Sequence, residues 1–395
     1  MTTTGAQSVM LSELLDRALA SGSIPGVVAA AVDGRGEQSV AAAGETQAGS
    51  GRPMTADTVL WIASMSKLVM SVAALQLVEQ GTLDLDAPLA DVLPELRELQ
   101  VLEGYDESGS PRLRAAREPV TVRRLLTHTA GFGYHFFHAD VLRYQQENGI
   151  PGIIECRTAT MTRTPLVHEP GSAWEYGPNV EWVGKAIEAI TGRRLEEHLV
   201  ETVLSPLGMH RTRFTITPDM RADLAGMHFR APDGTLAPIE FEITQEPEFV
   251  LAGGGLYSTA ADYLRLLTML VRGGELDGVR ILRPETIEEA RRNHIGDLST
   301  RSIASTDPAS SNDVDFLPGH GDKWSLLGLL NTSTEPNGRT RGGLEWAGLC
   351  NCYFFVDWNR RDAGALYTQI LPFADPAVLS LFAEFETSVH QRSDA

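Results

Sequence analysis

The chain has 395 residues and a formal net charge of −19, longer than one hydrophobic core ordinarily serves, so two structural regions are expected. Its apolar and charged fractions are those of a globular protein. The acidic balance excludes nucleic acid and anionic membrane surfaces as partners, because their phosphates would be repelled.

The opening segment MTTTGAQSVMLSELLDRAL has no basic flank and no continuous apolar core, so it does not read as a secretory signal. No later run approaches a membrane-spanning helix. Leu11, Leu14, Leu15, Ala18 and Leu19 recur at helical spacing until Gly22 stops them. VVAAAV and SVAAAG follow, separated by Asp33-Gly34-Arg35-Gly36, a hairpin signal. SMSKLVMSVAALQLVEQG carries Leu68, Val72 and Leu75 on a broad stripe and ends at Gly81, which places Ser64 at or near a helix N-terminus. VTVRRLLTH predicts a helix over 121–128, capped by Thr121 and ended near Gly131. NVEWVGKAIEAITG repeats Val180, Val183, Ile187 and Ile190 before Gly192. IEFEITQEPEFVLAGGG (239–255) is acidic and irregular, and reads as a rim loop. CYFFVDW and ALYTQIL flank a polar turn at Asn359–Asp362, and a last helix spans Pro376 to Val389.

Strands at both ends imply one antiparallel sheet domain made from residues 1–90 and 253–395. Residues 91–252 form a mainly helical insertion beside it, and the cleft between the two is the natural ligand site. Three cysteines (Cys156, Cys350, Cys352) are too few for a disulfide framework and suit a reducing compartment, so a cytoplasmic location is expected. Cys350 and Cys352 share one face of a strand, where buried free thiols are expected rather than a metal clip. His135 and His138 are three apart and able to share a helix face. Without a third ligand they make no metal site, and neither metal nor cofactor is expected.

Ser64 and Lys67 are three apart, so a helix puts both on one face. Unsatisfied N–H groups at a helix N-terminus favour developing negative charge there. An ordinary serine needs an adjacent base, and a lysine serves only as an uncharged amine, a form that burial favours. The plain alternative is an N-cap serine with a solvated lysine one turn later. Two facts weigh against it: only three of the 33 basic residues are lysines, and Lys67 is embedded in an apolar run. Ser66 is turned away from Lys67 by its spacing. Neither G-x-S-x-G nor H-E-x-x-H occurs.

Ser64-Met65-Ser66-Lys67 resembles the S-x-x-K of the serine β-lactamase and penicillin-binding-protein superfamily. Further segments agree in order: VTVRRLLTHTAGFGY (120–134), PGSAWEYGPNVEWVG (170–184) with its tyrosine, LSPLGMHRTRF (204–214), GGGLYSTAADYLRL (253–266) and RGGLEWAGLCNCYFFVD (341–357). The likeness covers nearly the whole chain and is greatest to the family VIII carboxylesterases, β-lactamase-like esterases. It implies the α/β class C β-lactamase-like fold, an antiparallel sheet flanked by helices plus an all-helical domain. It also implies that Ser64 is acylated, that Lys67 and Tyr176 handle its proton, and that the backbone N–H groups of Ser64 and Leu349 hold the oxyanion. A free phenol is no base at neutrality, but beside a lysine it can relay a proton.

The chain departs from the lactamase pattern at two motifs. Trp346-Ala347-Gly348 stands where lactamases have K-T-G, so an apolar wall with one N–H donor replaces a cation suited to a carboxylate. Gly348 is expected to keep that strand open for an acyl group. Tyr176-Gly177-Pro178 replaces Y-x-N and displaces the asparagine to Asn179, which disfavours amide substrates. Tyr134 is expected to wall the pocket, and Phe132 to pack in the core. The function expected is a serine carboxylesterase acting on small, short-chain esters through an acyl-enzyme, as a monomer or homodimer whose partner is a small-molecule ester. The alternatives are a β-lactamase, D-amino-acid amidase or peptidase, or acyltransferase using the same site, and a non-catalytic binding protein on that scaffold.

Overall fold

The run VVAAAV becomes a strand without a solvent face, because helices cover it from both sides. In the computed structural model, which describes residues 6–315 and 322–394, helix α1 (Ala6–Ala20) leads into strands β1 (Gly26–Val32) and β2 (Gln38–Gly44). The first five residues of the opening segment, and the reading made of them, lie outside the described residues. Helices α2 (Ser66–Glu79), α3 (Val122–Leu126), α4 (Val180–Thr191) and α5 (Ala260–Val271) follow. The C-terminal part supplies β3 (Lys323–Trp324), β4 (Leu329–Leu330), β5 (Leu344–Gly348), β6 (Cys352–Asp357), β7 (Asp362–Tyr367) and helix α6 (Pro376–Asp394).

These strands form one seven-stranded sheet in the order β3-β4-β5-β6-β7-β1-β2, antiparallel throughout. Val28 is opposite Tyr367, and Trp346 opposite Phe354. The fold is thus the mixed α/β arrangement expected. The period of two explains its layers. Val27, Ala29 and Ala31 pack with Leu11, Leu15, Phe382 and Phe385 from α1 and α6. Val28, Ala30 and Val32 face the larger core, which includes Leu264 and Leu267 of α5. A strand covered on both faces reads as an unbroken apolar run, as here. Each fully buried Val, Leu or Phe contributes roughly 1.5–3 kcal/mol.

The β1–β2 turn forms because Asp33 Oδ1 accepts from the N–H groups of Arg35 and Glu37, and Gly36 takes φ +83°. Thr121 caps α3 by accepting from the Arg124 N–H. That helix stops at Leu126, short of the predicted 128, because His128 adopts a left-handed φ of +56°. Helix α4 ends at the left-handed Gly192 as expected, and α6 runs on past Val389 to Asp394.

Segment 91–252 is less uniformly helical than its sequence implies. It carries short helices and also two hairpins, Gln100–Tyr105 with Pro111–Ala115 and Met227–Arg230 with Leu236–Ile239. The first is turned by the polar stretch DESGS. The second pairs in parallel with Ile370–Leu371, tying this segment to the chain beyond β7. Among the described residues no helix is long and apolar enough to cross a membrane.

A buried charge cluster locks α6 to the sheet. His390 Nδ1 is 3.0 Å from Asp362, its Nε2 is 3.3 Å from Glu386, and Arg339 pairs with Glu345 at 2.7 Å and Glu386 at 3.4 Å. Burial opposes the imidazolium, yet hydrogen bonds and charge from Asp362 and Glu386 outweigh it and push His390 up to about 9. The folded-state value lies above the unfolded one. The stabilisation, about 3 kcal/mol, is therefore complete below about pH 6.5 and lost as pH rises to about 9. The difference in thermal midpoint between wild type and His390→Gln should shrink steadily across that window. A difference independent of pH would show that the imidazole does not ionise in the folded protein.

Candidate active site

The nucleophile candidate is presented by a turn that the rest of the chain fixes from several sides. Leu60–Trp61 pairs antiparallel with Tyr257–Ser258, after which Ala63 takes the left-handed φ of +44° and a single 3₁₀ turn, Ala63–Met65, feeds α2. The Trp61 N–H donates to Gln369 Oε1 at 3.1 Å, and its indole donates to the Gly254 carbonyl at 2.7 Å. Tyr263 donates to the Met65 carbonyl at 2.9 Å. Ser66 Oγ donates to the Ala63 carbonyl at 2.6 Å and accepts from the Leu256 N–H at 3.1 Å, so this hydroxyl is consumed in holding the turn.

Lys67 is 5% exposed. Its Nζ donates to Ser64 Oγ at 3.0 Å, Tyr134 OH at 3.3 Å and the Gly253 carbonyl at 2.8 Å. An ammonium has three donors and all three are used; an amine would turn its lone pair to one of the two hydroxyls. The solvated-lysine alternative is thereby excluded. Tyr176 lies across the same amine, its ring centroid 5.0 Å from Nζ. The Tyr176 hydroxyl accepts from Trp346 Nε1 at 3.1 Å, which leaves its own proton free to point elsewhere. The phenol in direct hydrogen bond with the lysine is therefore Tyr134, which sequence reasoning placed only as a wall.

Ser64, Tyr134, Tyr176, Trp346 and Leu349 border one narrow cavity. Phe136, Phe137, Ile153, Leu251, Ile303 and Phe373 make its apolar sides. Leu251 and Gly254 bring the 239–255 stretch to this rim, as its irregular sequence suggested. A larger hollow between α1 and α6 lacks Ser64, Lys67 and both tyrosines.

Several expected placements differ. Gly348 does not line the cavity: a Cβ there would stand 2.4 Å from the Ile62 carbonyl oxygen, so its bareness serves the packing of β5 on the turn before Ser64. Gly177 is tighter still, its Cβ position 1.9 Å from the Phe132 carbonyl. Asn179 is buried away from the cavity, its amide 3.0 Å from His128 Nδ1. Burial and then the charge of Lys67 hold His128 well below the usual imidazole range, which favours a neutral ring, tilted against Tyr176 with centroids 4.7 Å apart. Phe132 is core, as expected. His135 lies in a loop and His138 is the N-cap residue of the helix Ala139–Glu147, so the two share no helix face. Cys350 precedes β6 and Cys352 opens it; both are buried free thiols, 3.4 Å apart.

One group escaped sequence reasoning entirely. Glu181, 1% exposed and on α4, also borders the cavity. Its only trace in the sequence is an acid between Val180 and Trp182, inside an apolar helical turn.

The β-lactamase family model matches residues 11–385. The acyltransferase calJ of Penicillium decumbens is 33% identical over 356 residues, covering 86% of this chain and 84% of that protein. The lovastatin esterase of Penicillium rubens is 29% identical over 400 residues, covering 96% and 97%. Simvastatin synthase (LovD) from Aspergillus terreus, in its unliganded crystal form, superposes with a TM-score of 0.82 at 28% identity, covering 99% of this chain and 100% of that one.

Proposed function

Because this chain belongs to the β-lactamase family, we propose that it is a serine acyl-transfer enzyme acting as a carboxylesterase on neutral esters with small apolar acyl groups. The observation that carries the reading is the 3.0 Å contact between Lys67 Nζ and Ser64 Oγ inside a cavity with apolar sides. Ser64 attacks the ester carbonyl while its proton passes to the Lys67–tyrosine cluster. The N–H groups of Ser64 and Leu349 receive the oxyanion. The alcohol departs with the returned proton, and water then attacks the acyl-enzyme by the same route in reverse order. Trp346 supports neutral substrates, since its one donor is committed to Tyr176 and it offers no charge to a carboxylate. This arrangement supports a family VIII-like esterase over a lactamase. Three buried free cysteines support a cytoplasmic location.

A second reading shares every step but the last: an alcohol replaces water as acceptor. It is favoured by likeness to acyltransferases and by cavity walls that hold few polar groups for water. Mixing with p-nitrophenyl butyrate should give an intact-mass increase of one butyryl group, mapped to Ser64. Adding a primary alcohol should then divide the product between acid and new ester, and the ratio selects between the two readings. No adduct on Ser64, or nitrocefin turnover matching that of the ester, would overturn the assignment.

A further inference from the structure

Glu181 is the one carboxyl bordering the cavity among the described residues. Neither of its oxygens meets full hydrogen-bond geometry, although the Tyr134 hydroxyl and the Gly253 backbone lie close enough to favour its charged form. Its Oε1 would lie 2.9 Å from a Cβ at Gly253, the same residue whose carbonyl accepts from Lys67. The carboxyl and the amine thus share a neighbour without touching. A buried carboxylate with no partner is costly unless a cation faces it. Burial pushes Glu181 above the usual carboxylate range, and the nearby Lys67 is the largest influence pulling it back down. The groups that face it are Lys67 of α2, the hydroxyl of Tyr134, the thiol of Cys156 and the backbone at Gly253. Tyr176 and His128 are further neighbours of Lys67.

We propose that Glu181 is a positioning residue that balances the charge created when Lys67 takes up the serine proton. The proposal rests on the acyl-transfer reading. Ser64 Oγ bonds to the acyl carbon as its proton moves to Lys67 Nζ, and the new ammonium is compensated by the Glu181 carboxylate. The ammonium returns the proton to the departing alkoxide oxygen as the C–O bond of the ester breaks, which releases a neutral alcohol. Removing the carboxylate removes the charge that favours ammonium over amine.

The test is the pH profile of kcat/KM for p-nitrophenyl butyrate in Glu181→Gln, nearly identical in shape. The acid limb should move at least about one pH unit lower, and the plateau should fall at least about tenfold. Glu181→Asp, which keeps the charge, should hold the limb near its wild-type position. Glu181→Met removes the charge with an apolar side chain suited to burial, and must move the limb as Gln does if the Gln variant does not fold. A plateau lowered in every variant with an unmoved limb would reduce Glu181 to packing and overturn the proposal. An acyl adduct on wild-type Ser64 beside an unmoved limb overturns this inference alone, whereas absence of the adduct overturns the acyl-transfer reading itself.

Discussion

Ser64→Ala lowers kcat/KM for short-chain p-nitrophenyl esters by at least about 10⁴-fold, a loss of transition-state stabilisation of about 5.5 kcal/mol. The magnitude follows from what is removed. The covalent route disappears, and the remaining donors stabilise only an attack by water with no oriented base beside it. Lys67 keeps Tyr134 and Gly253 as partners in the variant, so the site does not collapse. Ser66→Ala is the control from the next turn. It deletes two hydrogen bonds that fix the turn, costs about 1–3 kcal/mol of stability and leaves activity within about tenfold. Initial rates on both purified variants, alongside their melting curves, decide the matter. Comparable losses in the two would mean that the hydroxyl at 64 does no covalent chemistry.

Gly348→Ala should cost kcat about 10²-fold and destabilise the fold by about 1–3 kcal/mol. The added methyl would meet the Ile62 carbonyl oxygen at 2.4 Å, its carbon at 3.1 Å and Ala63 Cβ at 3.3 Å. The first two are backbone atoms of the turn that presents Ser64, so no rotamer change relieves the clash. The strand end and the turn must part, which shifts Leu349 away from Ser64 at the point where both border the cavity. KM should change little, because the apolar walls are untouched. Steady-state kinetics below the melting transition separate the catalytic loss from unfolding, and wild-type kcat in a stably folded variant would contradict the close approach.

The sequence made legible whatever depends on local spacing. Runs such as VVAAAV and CYFFVDW, stops at Gly81 and Gly192, and the three-residue interval from Ser64 to Lys67 all encode their geometry within a few neighbours. The ordered motifs added Tyr176 from more than a hundred positions away. Beyond that reach the reading was partial. Gly348 was credited with leaving room for substrate because its contact with Ile62 arises only when β5 meets the turn before α2. Tyr134 was placed as a wall because nothing in GFGYHFFH shows its hydroxyl within 3.3 Å of Lys67. Glu181 was invisible, since an acid on a helix ordinarily faces water. The hairpins inside 91–252 were hidden behind the expectation of a helical insertion, although their polar turns carry a readable signal.

The pairing of β1 with β7 has a consequence for synthesis. Val28 waits for Tyr367, and the segment bearing Ser64 waits for the strand that ends at Gly348. A ribosome must therefore deliver the chain as far as Tyr367 before β1 is flanked on both sides. Local helices gain little from that delay, while the sheet must close a very long loop. Chemistry at the serine is thereby postponed until β7 has been made, and a chain halted before that strand is an inert, sticky fragment rather than a slow enzyme.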